Sequence, residues 1–433
     1  MNNENLLTLK GLQQKAVQKE WLHYAPQVPE LEPGKKWHIF LSYRSVNRPW
    51  VLNLYDALCQ VGFKVFLDQF SLIPGESLIF SLQNALQESA SGIIVWSTES
   101  EDSEWCKREY ESMMRLQSSS EFKFVVVKLA NADLPLFAQN SLYEDFSDSP
   151  EGPRGSGLLR IMYGLLEQPL QQEAVRFSVK IDQLTKQELE KIYQAKIATD
   201  AKKLYELGTE KNLAWLNSYI LSCKAVEALI DLEEYDYALD VLMLTDAHFP
   251  KSIRAKQLRA LALARSGAWL AAQQILGVFY NSGHRDSETI SLYARTWMDK
   301  YNKTKKRLYL EKSQKLYAEA FKLNPKDYYP GINAASKSVF LGNLEIAQEF
   351  ASKVEKIVGT KVVSGNYWKT ATIAEVQLIR QNYVEAAKLY REAVLIEPDS
   401  SGKHQTTLGQ ARLLMECFDT SATNRDLIEK AFP

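Results

Sequence analysis

The sequence is poor in the residues that build metal centres and disulfide frameworks. Its 433 residues include four cysteines and five histidines. No two cysteines form a CxxC pair, and the histidines lie far apart without an HExxH pattern. Scattered cysteines of this kind predict reduced thiols and not disulfides. We therefore expect no metal site and no cysteine–histidine nucleophile pair.

The chain also lacks an excess of either charge. Lys and Arg number 52 and Asp and Glu number 53, which gives a formal net charge of -1. This balance argues against a nucleic-acid coat or a polybasic membrane binder. No apolar run approaches the roughly 20 residues that cross a bilayer, and the first residues carry no basic segment followed by an apolar block. We expect a cytoplasmic protein with no membrane partner.

A phosphate-binding loop is missing as well. No GxxxxGKS or GxxxxGKT motif is present, and the one glycine cluster, from Gly152 to Gly157, follows no clear strand. We predict that this cluster is a plain loop. A P-loop ATPase is therefore excluded.

The chain does contain enough apolar residues for more than one core. Hydrophobic residues make up 45% of it and aromatic residues 11%, which excludes disorder over most of its length. A chain this long predicts two or three domains. Residues 1–36 combine a ragged helical stripe with the stretch QVPELEPGKK, and so predict a short N-terminal helix followed by a linker.

Residues 37–170 alternate short apolar runs with amphipathic segments. The runs HIFLSY, FKVFL, GIIVWS and FKFVVVKL predict four strands, and a weaker fifth strand is predicted near SLYEDF. Such alternation is typical of a parallel sheet with helices on both faces. Ligands of these sheets bind beyond the carboxyl ends of the strands, where the strand order reverses. The loops after SY, after FLD and after WS are therefore the candidate site.

From about residue 174 onward the strand patterns end and helical periodicity takes over. Residues 171–219 predict a helical connector, and residues 220–433 repeat a pattern in which an aromatic residue or leucine precedes an alanine by three positions. The pattern occurs at Tyr235 and Ala238, Trp269 and Ala272, Leu344 and Ala347, and Tyr383 and Ala386. The first step, from Ala238 to Ala272, is 34 residues. The pattern resembles the tetratricopeptide (TPR) repeat and implies an all-α TPR-like solenoid that takes a protein or peptide ligand. An irregular helical bundle is the alternative.

Three blocks of the N-terminal region resemble a TIR domain (Toll/interleukin-receptor/resistance). HIFLSYRS is similar to the family's first strand and loop, and GFKVFLDQFSLIPGES to its second strand and BB loop, with Pro74 and Gly75 in the turn. SGIIVWS followed by EWCKREYESM is similar to the third strand and the helix after it. The resemblance implies an α/β flavodoxin-like TIR domain with a parallel five-stranded sheet over residues 37–170.

Some TIR domains hydrolyse or cyclise NAD+, and the resemblance extends to their motif. In these members a glutamate follows a tryptophan by four residues in the helix after the third strand, and Trp105 and Glu109 fit that spacing. Two positions four apart lie on one helix face. The resemblance implies that Glu109 is the catalytic residue and that NAD+ is the substrate, with no separate cofactor. It assigns nucleotide contacts to Tyr43, Arg44 and Ser45 in the first loop, to Asp68 and Phe70 before the BB loop, and to Trp105 beside the sugar.

This reaction makes few demands on the protein. The nicotinamide of NAD+ is a cationic pyridinium that leaves as a neutral base, so no general acid has to protonate it. One carboxylate can stabilise the oxocarbenium-like transition state by hydrogen-bonding the ribose hydroxyls and by placing negative charge near the developing cation. A sequence without a recognisable metal site or catalytic triad is compatible with this chemistry.

Each candidate residue also has a structural alternative. Glu109 belongs to an acidic stretch and could be a solvated helix residue. The neighbouring acids are Glu101, Asp102, Glu104 and Glu111. For the others the alternatives are a surface ion pair for Arg44, a turn cap for Asp68, and core packing for Phe70 and Trp105.

The leading hypothesis is a TIR NAD+ glycohydrolase that yields nicotinamide and ADP-ribose, or a cyclic ADP-ribose, and acts as an antiphage defence effector. Association of TIR domains predicts a homo-oligomer, and the repeats predict regulation by a bound protein or peptide. The rival hypothesis is a non-enzymatic TIR adaptor that recruits partners through its repeats. The basic run from Lys300 to Lys315 leaves nucleic-acid contact open as a further alternative, although such runs are usually solvated helix faces.

Overall fold

The chain folds into two compact units, residues 1–268 and 269–433. A computed structural model describes residues 22–67, 78–101, 103–119, 121–136, 138, 143–210, 212–249, 252–398 and 400–433. The helix predicted near the N-terminus and the BB-loop turn at Pro74 and Gly75 lie outside the described residues. The first unit holds the α/β region together with the first helices of the repeat region.

A five-stranded parallel sheet forms the centre of the first unit. Its strands are β1 Trp37–Ser42, β2 Val65–Leu67, β3 Ser89–Trp96, β4 Lys123–Lys128 and β5 Tyr143–Asp145. They are hydrogen-bonded in the order β2-β1-β3-β4-β5, and Ile39 of β1 pairs with Val65 on one side and Ser91 on the other. This is the flavodoxin-like order, which confirms the predicted sheet, including the strand near SLYEDF. The order reverses at β1 and β3, so the switch point lies there.

Helices pack around this sheet. They are α1 Arg48–Val61, α2 Leu78–Gln87, α3 Thr98–Glu101, α4 Glu104–Ser119 and α5 Gly155–Leu165. α1 carries Pro49 in its first turn, where a missing N–H costs nothing, and ends at Gly62, whose φ of 112° suits a residue without a Cβ. The central strands are buried over most of their length, with Ile93 and Val126 at 0% exposure. This burial explains why their sequences are continuous apolar runs.

The prediction of a plain loop at residues 152–157 is wrong for its second half, because α5 begins at Gly155. A Cβ at Gly157 would lie 2.5 Å from Cζ of Phe146, so close packing requires this glycine. The start of the helix is capped by Asp182, whose carboxylate accepts hydrogen bonds from the backbone N–H groups of Gly155 and Ser156 at 2.8 and 3.2 Å. An internal carboxylate thus fills the place that an anion can take at a helix N-terminus.

Residues 22–36 form a packed segment, which we call the N-terminal strap. The ring of Tyr24 stacks on that of Phe177 with the centroids 4.7 Å apart. The carbonyl of Tyr24 accepts a hydrogen bond from the Tyr163 hydroxyl at 3.1 Å. Further along, Nε2 of His38 donates to the carbonyl of Pro29 at 2.9 Å. The segment that the prolines predict to be a linker is therefore fixed to the folded unit.

The remainder of the first unit is helical in its described residues. Its helices are α6 Gln172–Ile197, α7 Ala201–Gly208, α8 Leu213–Asn217, α9 Tyr219–Asp231, α10 Tyr235–His248 and α11 Ile253–Arg265. The buried carboxylate of Glu188 on α6 accepts a hydrogen bond from Nε1 of Trp215 at 3.0 Å. Asp56 connects α1 to α11, because its Oδ2 accepts the backbone N–H of Ile253 at 3.0 Å. The α/β region and the first repeat helices are thus joined by side-chain contacts as well as by the chain.

The second unit is helical throughout its described residues. Its helices are α12 Trp269–Asn281, α13 Ser287–Thr304, α14 Arg307–Leu323, α15 Tyr328–Phe340, α16 Leu344–Val358, α17 Tyr367–Ile379, α18 Tyr383–Ile396, α19 Ser401–Cys417 and α20 Ala422–Glu429. Three of them, α12, α16 and α18, begin at the aromatic residue or leucine that opens the repeated pattern. The alanines that follow, Ala272, Ala347 and Ala386, are all 0% exposed. Small side chains at these points let neighbouring helices pack closely, as TPR-like repeats require.

Candidate functional site

Polar side chains gather where the strand order reverses. β1 ends at Ser42 and β3 at Trp96, and the two strands are direct neighbours. Nδ2 of Asn47, in the loop after β1, donates to Oγ of Ser97, just after β3, at 2.6 Å. The loops after SY and after WS therefore meet at this edge, where a parallel sheet binds its ligand. The loop after FLD lies outside the described residues.

Glu109 lies at this edge, half-buried on the second turn of α4. Its Oε2 accepts a hydrogen bond from the hydroxyl of Ser42 over a distance of 2.5 Å. Ser42 is only 3% exposed, so the donor side of the bond is shielded from water, and the bond fixes one carboxylate oxygen relative to the end of β1. Hydrogen bonds to a charged acceptor are shorter and stronger than neutral ones. The result is a carboxylate held in place beside the switch point.

Ser103 organises the start of α4. Its Oγ accepts the backbone N–H of Cys106 at 3.3 Å, which caps the helix N-terminus. The same oxygen accepts a hydrogen bond from Nη1 of Arg44 at 3.2 Å. One serine therefore sets both the first turn of the helix and the position of a cation on the loop after β1. Among the residues that the structure describes, no carboxylate forms an ion pair with Arg44.

Two neighbours of these groups are buried. Tyr43 is 8% exposed, and its hydroxyl accepts a hydrogen bond from Nη1 of Arg48 in the first turn of α1. The thiol of Cys106 is fully buried, and burial raises its pKa, with the negative charge of Glu109 adding to the effect. A protonated thiol is a poor nucleophile. The reactive potential of this edge therefore lies with the carboxylate.

The remaining predicted site residues are described in part or not at all. Asp68 and Phe70 lie outside the described residues, as do the side chains of Ser45 and Trp105. The backbone of Ser45 lies in the short 3-10 turn after β1. Trp105 lies in the first turn of α4, one turn before Glu109, as the motif predicts. The nucleotide contacts assigned to these four residues stay predictions.

The other acids near Glu109 do not share its position. Their surroundings differ: Glu101 accepts the backbone N–H of Asp133 at 2.7 Å, Glu104 pairs with Lys107 at 3.5 Å, Glu111 is exposed, and Asp102 lies outside the described residues. Of the acids described in this stretch, Glu109 is the one that is hydrogen-bonded to the end of a strand.

Sequence reasoning missed the two serines of the site, Ser42 and Ser103. Ser42 directly precedes the predicted loop, but whether its hydroxyl faces Glu109 depends on the pairing of β1 with β3 and on the placement of α4. Ser103 stands just before a helical pattern, which is a recognisable helix-start signal. That signal predicts a capping role and gives no indication of the contact with Arg44.

Metal clusters and membrane-spanning helices are absent from the described part of the chain. No group of three or more His, Cys, Asp or Glu side chains is placed there to hold a metal ion, and no helix there combines the length and the apolar character needed to cross a bilayer. In the basic run, Nζ of Lys300 and of Lys312 lie 4.9 and 4.2 Å from the ring centre of Trp297. Part of the run thus packs on an aromatic residue of the same chain, and its contact with nucleic acid stays an untested alternative.

Curated relatives are similar over less than a quarter of the chain. The probable 2' cyclic ADP-D-ribose synthase BdTIR of Brachypodium distachyon is 29% identical over 102 residues, 23% of this chain and 46% of that protein. The NAD(+) hydrolase PdTIR of Paracoccus denitrificans is 33% identical over 90 residues, 21% of this chain and 30% of that protein. Toll-like receptor 6 of Mus musculus is 32% identical over 90 residues, 20% of this chain and 11% of that protein. The chain therefore spans less than half of each of these relatives.

Two family models match separate parts of the fold. The model of the TIR domain matches residues 39–159, and that of the Tetratricopeptide Repeats-Sensor matches residues 232–340. A solved structure of a thermophilic TPR protein from Thermus thermophilus is similar at 16% identity and a TM-score of 0.38, over 45% of this chain and 98% of that protein. By the two family matches, the chain contains a TIR domain over residues 39–159 and, after it, a TPR-sensor region over residues 232–340.

Proposed function

We propose that the chain cleaves NAD+ between nicotinamide and ribose, releasing nicotinamide and either ADP-ribose or a cyclic ADP-ribose. The observation that carries this proposal is the carboxylate of Glu109, which accepts the Ser42 hydroxyl at 2.5 Å beside the switch point. Further support comes from two similar proteins, PdTIR and BdTIR, which are named as an NAD+ hydrolase and a probable cyclic ADP-ribose synthase.

The chemistry requires one well-placed negative charge. The bond between C1′ of the ribose and the nicotinamide nitrogen breaks, and its electron pair leaves on that nitrogen, which becomes neutral. C1′ gains oxocarbenium character, and Glu109 stabilises it while accepting hydrogen bonds from the ribose hydroxyls. Water then adds to C1′ and loses a proton to give ADP-ribose. A nucleophile of the same nucleotide in place of water gives a cyclic product.

The guanidinium of Arg44 is a candidate ligand for the pyrophosphate of NAD+. This guanidinium donates a hydrogen bond to Ser103 and forms no direct ion pair among the described residues, although it lies close enough to Glu99 to interact with that carboxylate electrostatically. Guanidinium groups bind phosphate oxygens with matching geometry, so we assign Arg44 to the pyrophosphate of NAD+. Because Ser103 also caps α4, the positions of Arg44 and Glu109 are linked through that one serine.

A non-enzymatic TIR adaptor is the second candidate. Toll-like receptor 6 of Mus musculus matches at 32% identity, close to the 33% of the NAD+ hydrolase PdTIR. Overall similarity therefore does not separate the two functions. The bond between Ser42 and Glu109 favours the enzyme, since pairing with other TIR domains gives no reason to hold a carboxylate at the ligand-binding edge of the sheet.

We also propose that activity is controlled through assembly and through the repeats, as expected of an antiphage effector. A continuously active NADase would drain the NAD+ of its own cell, so a resting state has to be imposed. The TPR-sensor region offers a surface for a protein or peptide trigger, and Asp56 connects it to α1 of the TIR domain. If TIR domains complete one another's sites, specific activity should rise with protein concentration. A constant specific activity from a monomer at all concentrations would count against assembly.

The decisive experiment incubates the purified full chain with NAD+ and resolves nicotinamide, ADP-ribose and cyclic products by chromatography. We expect Glu109→Gln to lower nicotinamide release by at least about 100-fold, the scale of losing one transition-state charge contact. Glu111→Gln, an exposed site on the same helix, is the matched control and should keep wild-type turnover. Wild-type turnover in a folded Glu109→Gln chain would show that the site is misassigned. No release by the concentrated wild-type chain would favour the adaptor.

A further inference from the structure

A cavity of about 280 Å³ lies inside the first unit, away from Glu109. Its walls come from α1, residues 148–155, α6, residues 216–220 and Phe249. Small-molecule sites in proteins occupy roughly 300–1,000 Å³, so the volume of this cavity falls just below that range and suits a small ligand. It is placed where the TIR domain, the connector helix and the first repeat helices meet.

Much of the wall is apolar. The apolar side chains that line the cavity include Ala57, Leu158, Ile181, Leu189, Ile220 and Phe249. The loop that closes one side is tied to α1, because Nε1 of Trp50 donates to the carbonyl of Ser149 at 3.0 Å and Nδ2 of Asn53 donates to that of Glu151 at 3.1 Å. These bonds give the cavity a fixed wall that does not depend on a ligand.

All charged residues of the cavity wall except one form an ion pair or accept hydrogen bonds from backbone N–H groups. Three acids are satisfied: Asp148 pairs with Arg154, Glu151 pairs with Lys224 at 2.6 Å, and Asp182 accepts two backbone N–H groups at the start of α5. Lys186 is exposed and has no carboxylate partner within the described residues. The cavity therefore combines an apolar interior with one unneutralised cation.

We propose that this cavity binds a small amphipathic monoanion, whose apolar body lies against Leu189 and Ile220 and whose carboxylate or sulfonate reaches Nζ of Lys186. A ligand with a second charge would have to displace an existing ion pair of the wall. A neutral one would leave the lysine without a counter-charge.

Such a ligand would contact α1, the helix that directly follows the loop after β1 at the proposed catalytic site. At its first turn α1 provides Arg48, whose Nη1 donates to Tyr43, and two turns later it provides Asp56 and the cavity residue Ala57. A ligand that binds one arrangement of α1 and α6 more tightly than another shifts the population toward it. An effect of the ligand on NAD+ cleavage rests on the proposed function, whereas binding itself does not.

The test uses 8-anilinonaphthalene-1-sulfonate, an aromatic sulfonate, and N-phenyl-1-naphthylamine, which has the same rings without the charge. Fluorescence titration and equilibrium dialysis of the full chain, without NAD+, measure affinity and stoichiometry. We expect one sulfonate per chain. Lys186→Gln should weaken sulfonate binding about threefold to fivefold, the scale of an exposed ion pair. The same variant should leave the affinity for the uncharged probe unchanged. Leu189→Trp, which fills the cavity, should weaken both probes at least about tenfold.

The matched control is Lys180→Gln, an exposed lysine of α6 that does not line the cavity, and it should bind both probes as the wild type does. The proposal is overturned if the sulfonate shows no saturable one-to-one binding, or if either Lys186→Gln or Leu189→Trp binds it with wild-type affinity. Repeating the titration with Glu109→Gln keeps the outcome independent of NAD+ cleavage, because that variant should bind both probes normally.

Discussion

The TIR domain and the second unit differ in how far apart in the sequence their interacting residues lie. In the TIR domain Ser42 and Glu109 are 67 residues apart and meet because α4 is placed over the carboxyl end of β1. In the second unit Ala272, Ala347 and Ala386 occupy the same position, three residues after the first residue, of α12, α16 and α18, and all three are buried. The first arrangement concentrates the candidate site in a single contact between distant elements. The second makes a periodic structure in which a substitution acts mainly on adjacent helices.

The largest effect expected from this contrast is the loss of NAD+ cleavage when Ser42 is replaced by alanine. Ser42→Ala removes the hydrogen bond from the hydroxyl to Oε2 of Glu109, and we expect NAD+ cleavage to fall about 10- to 100-fold, or about 1.4–2.8 kcal/mol of transition-state stabilisation. The cost to folding should be only about 1 kcal/mol. Initial rates of nicotinamide release and urea denaturation measure the two quantities.

The control for this prediction is Ser91→Ala. The buried hydroxyl of Ser91 donates to the carbonyl of His38 at 2.6 Å, within the same strand pair but away from the carboxyl ends. This variant should lose a similar amount of stability and keep the wild-type rate. If both variants slowed equally, Ser42 would act through general sheet stability and the contrast with the repeats would fail.

An intermediate effect is expected in the repeats. Ala386 is 0% exposed on α18, and Ala386→Leu forces extra atoms between closely packed helices. We expect the second unit to lose about 2 kcal/mol of unfolding free energy, measured by urea denaturation followed by circular dichroism. Val384→Leu, at a position that is 73% exposed, should change stability by less than about 0.5 kcal/mol. Equal stabilities of the two variants would contradict the close approach of these helices.

The smallest effect concerns Asp56, where the two kinds of structure are joined. Burial raises the pKa of Asp56 from 3.8 to about 7. Hydrogen bonds from residues 252–254 lower this pKa and so offset the effect of burial only in part. The folded state therefore holds the proton more tightly than the unfolded state. The stability that this group contributes falls as the pH rises from about 4 toward about 7. Asp56→Asn should match the wild type near pH 5 and exceed it by at least about 1 kcal/mol at pH 8.

Urea denaturation at the two pH values tests this prediction. Asp236→Asn, an exposed aspartate in the first turn of α10, is the control, and its difference from the wild type should not vary with pH in the same way. If the difference in stability between Asp56→Asn and the wild type were the same at pH 5 and at pH 8, the pKa of Asp56 would not be raised at this contact.

Much of the fold was predictable because it depends on short-range patterns. The strands are continuous apolar runs since both faces of the sheet are covered, and α12, α16 and α18 begin where the repeated pattern begins. The cluster from Gly152 to Gly157 differs from the predicted loop in its second half. Glycine usually marks a loop, whereas Gly157 lies in a helix and is needed for its close contact with Phe146.

The site was predictable only where one element carries the pattern. Glu109 follows from its spacing to Trp105 within α4. The bond from Ser42 depends on sheet order and helix placement, and the contact between Asp56 and Ile253 joins residues 197 positions apart. No local pattern determines such pairs, because each partner is set by the packing of whole elements.

The N-terminal strap has a practical consequence for shortening this chain. Trimming to the start of β1 at Trp37 would discard Tyr24, and with it the ring contact to Phe177 and the acceptor for the Tyr163 hydroxyl. The newly uncovered aromatic surface would then face solvent and favour self-association. An expression boundary, an affinity tag or a fusion partner is therefore best placed before Leu22, so that the strap stays attached to the domain it covers.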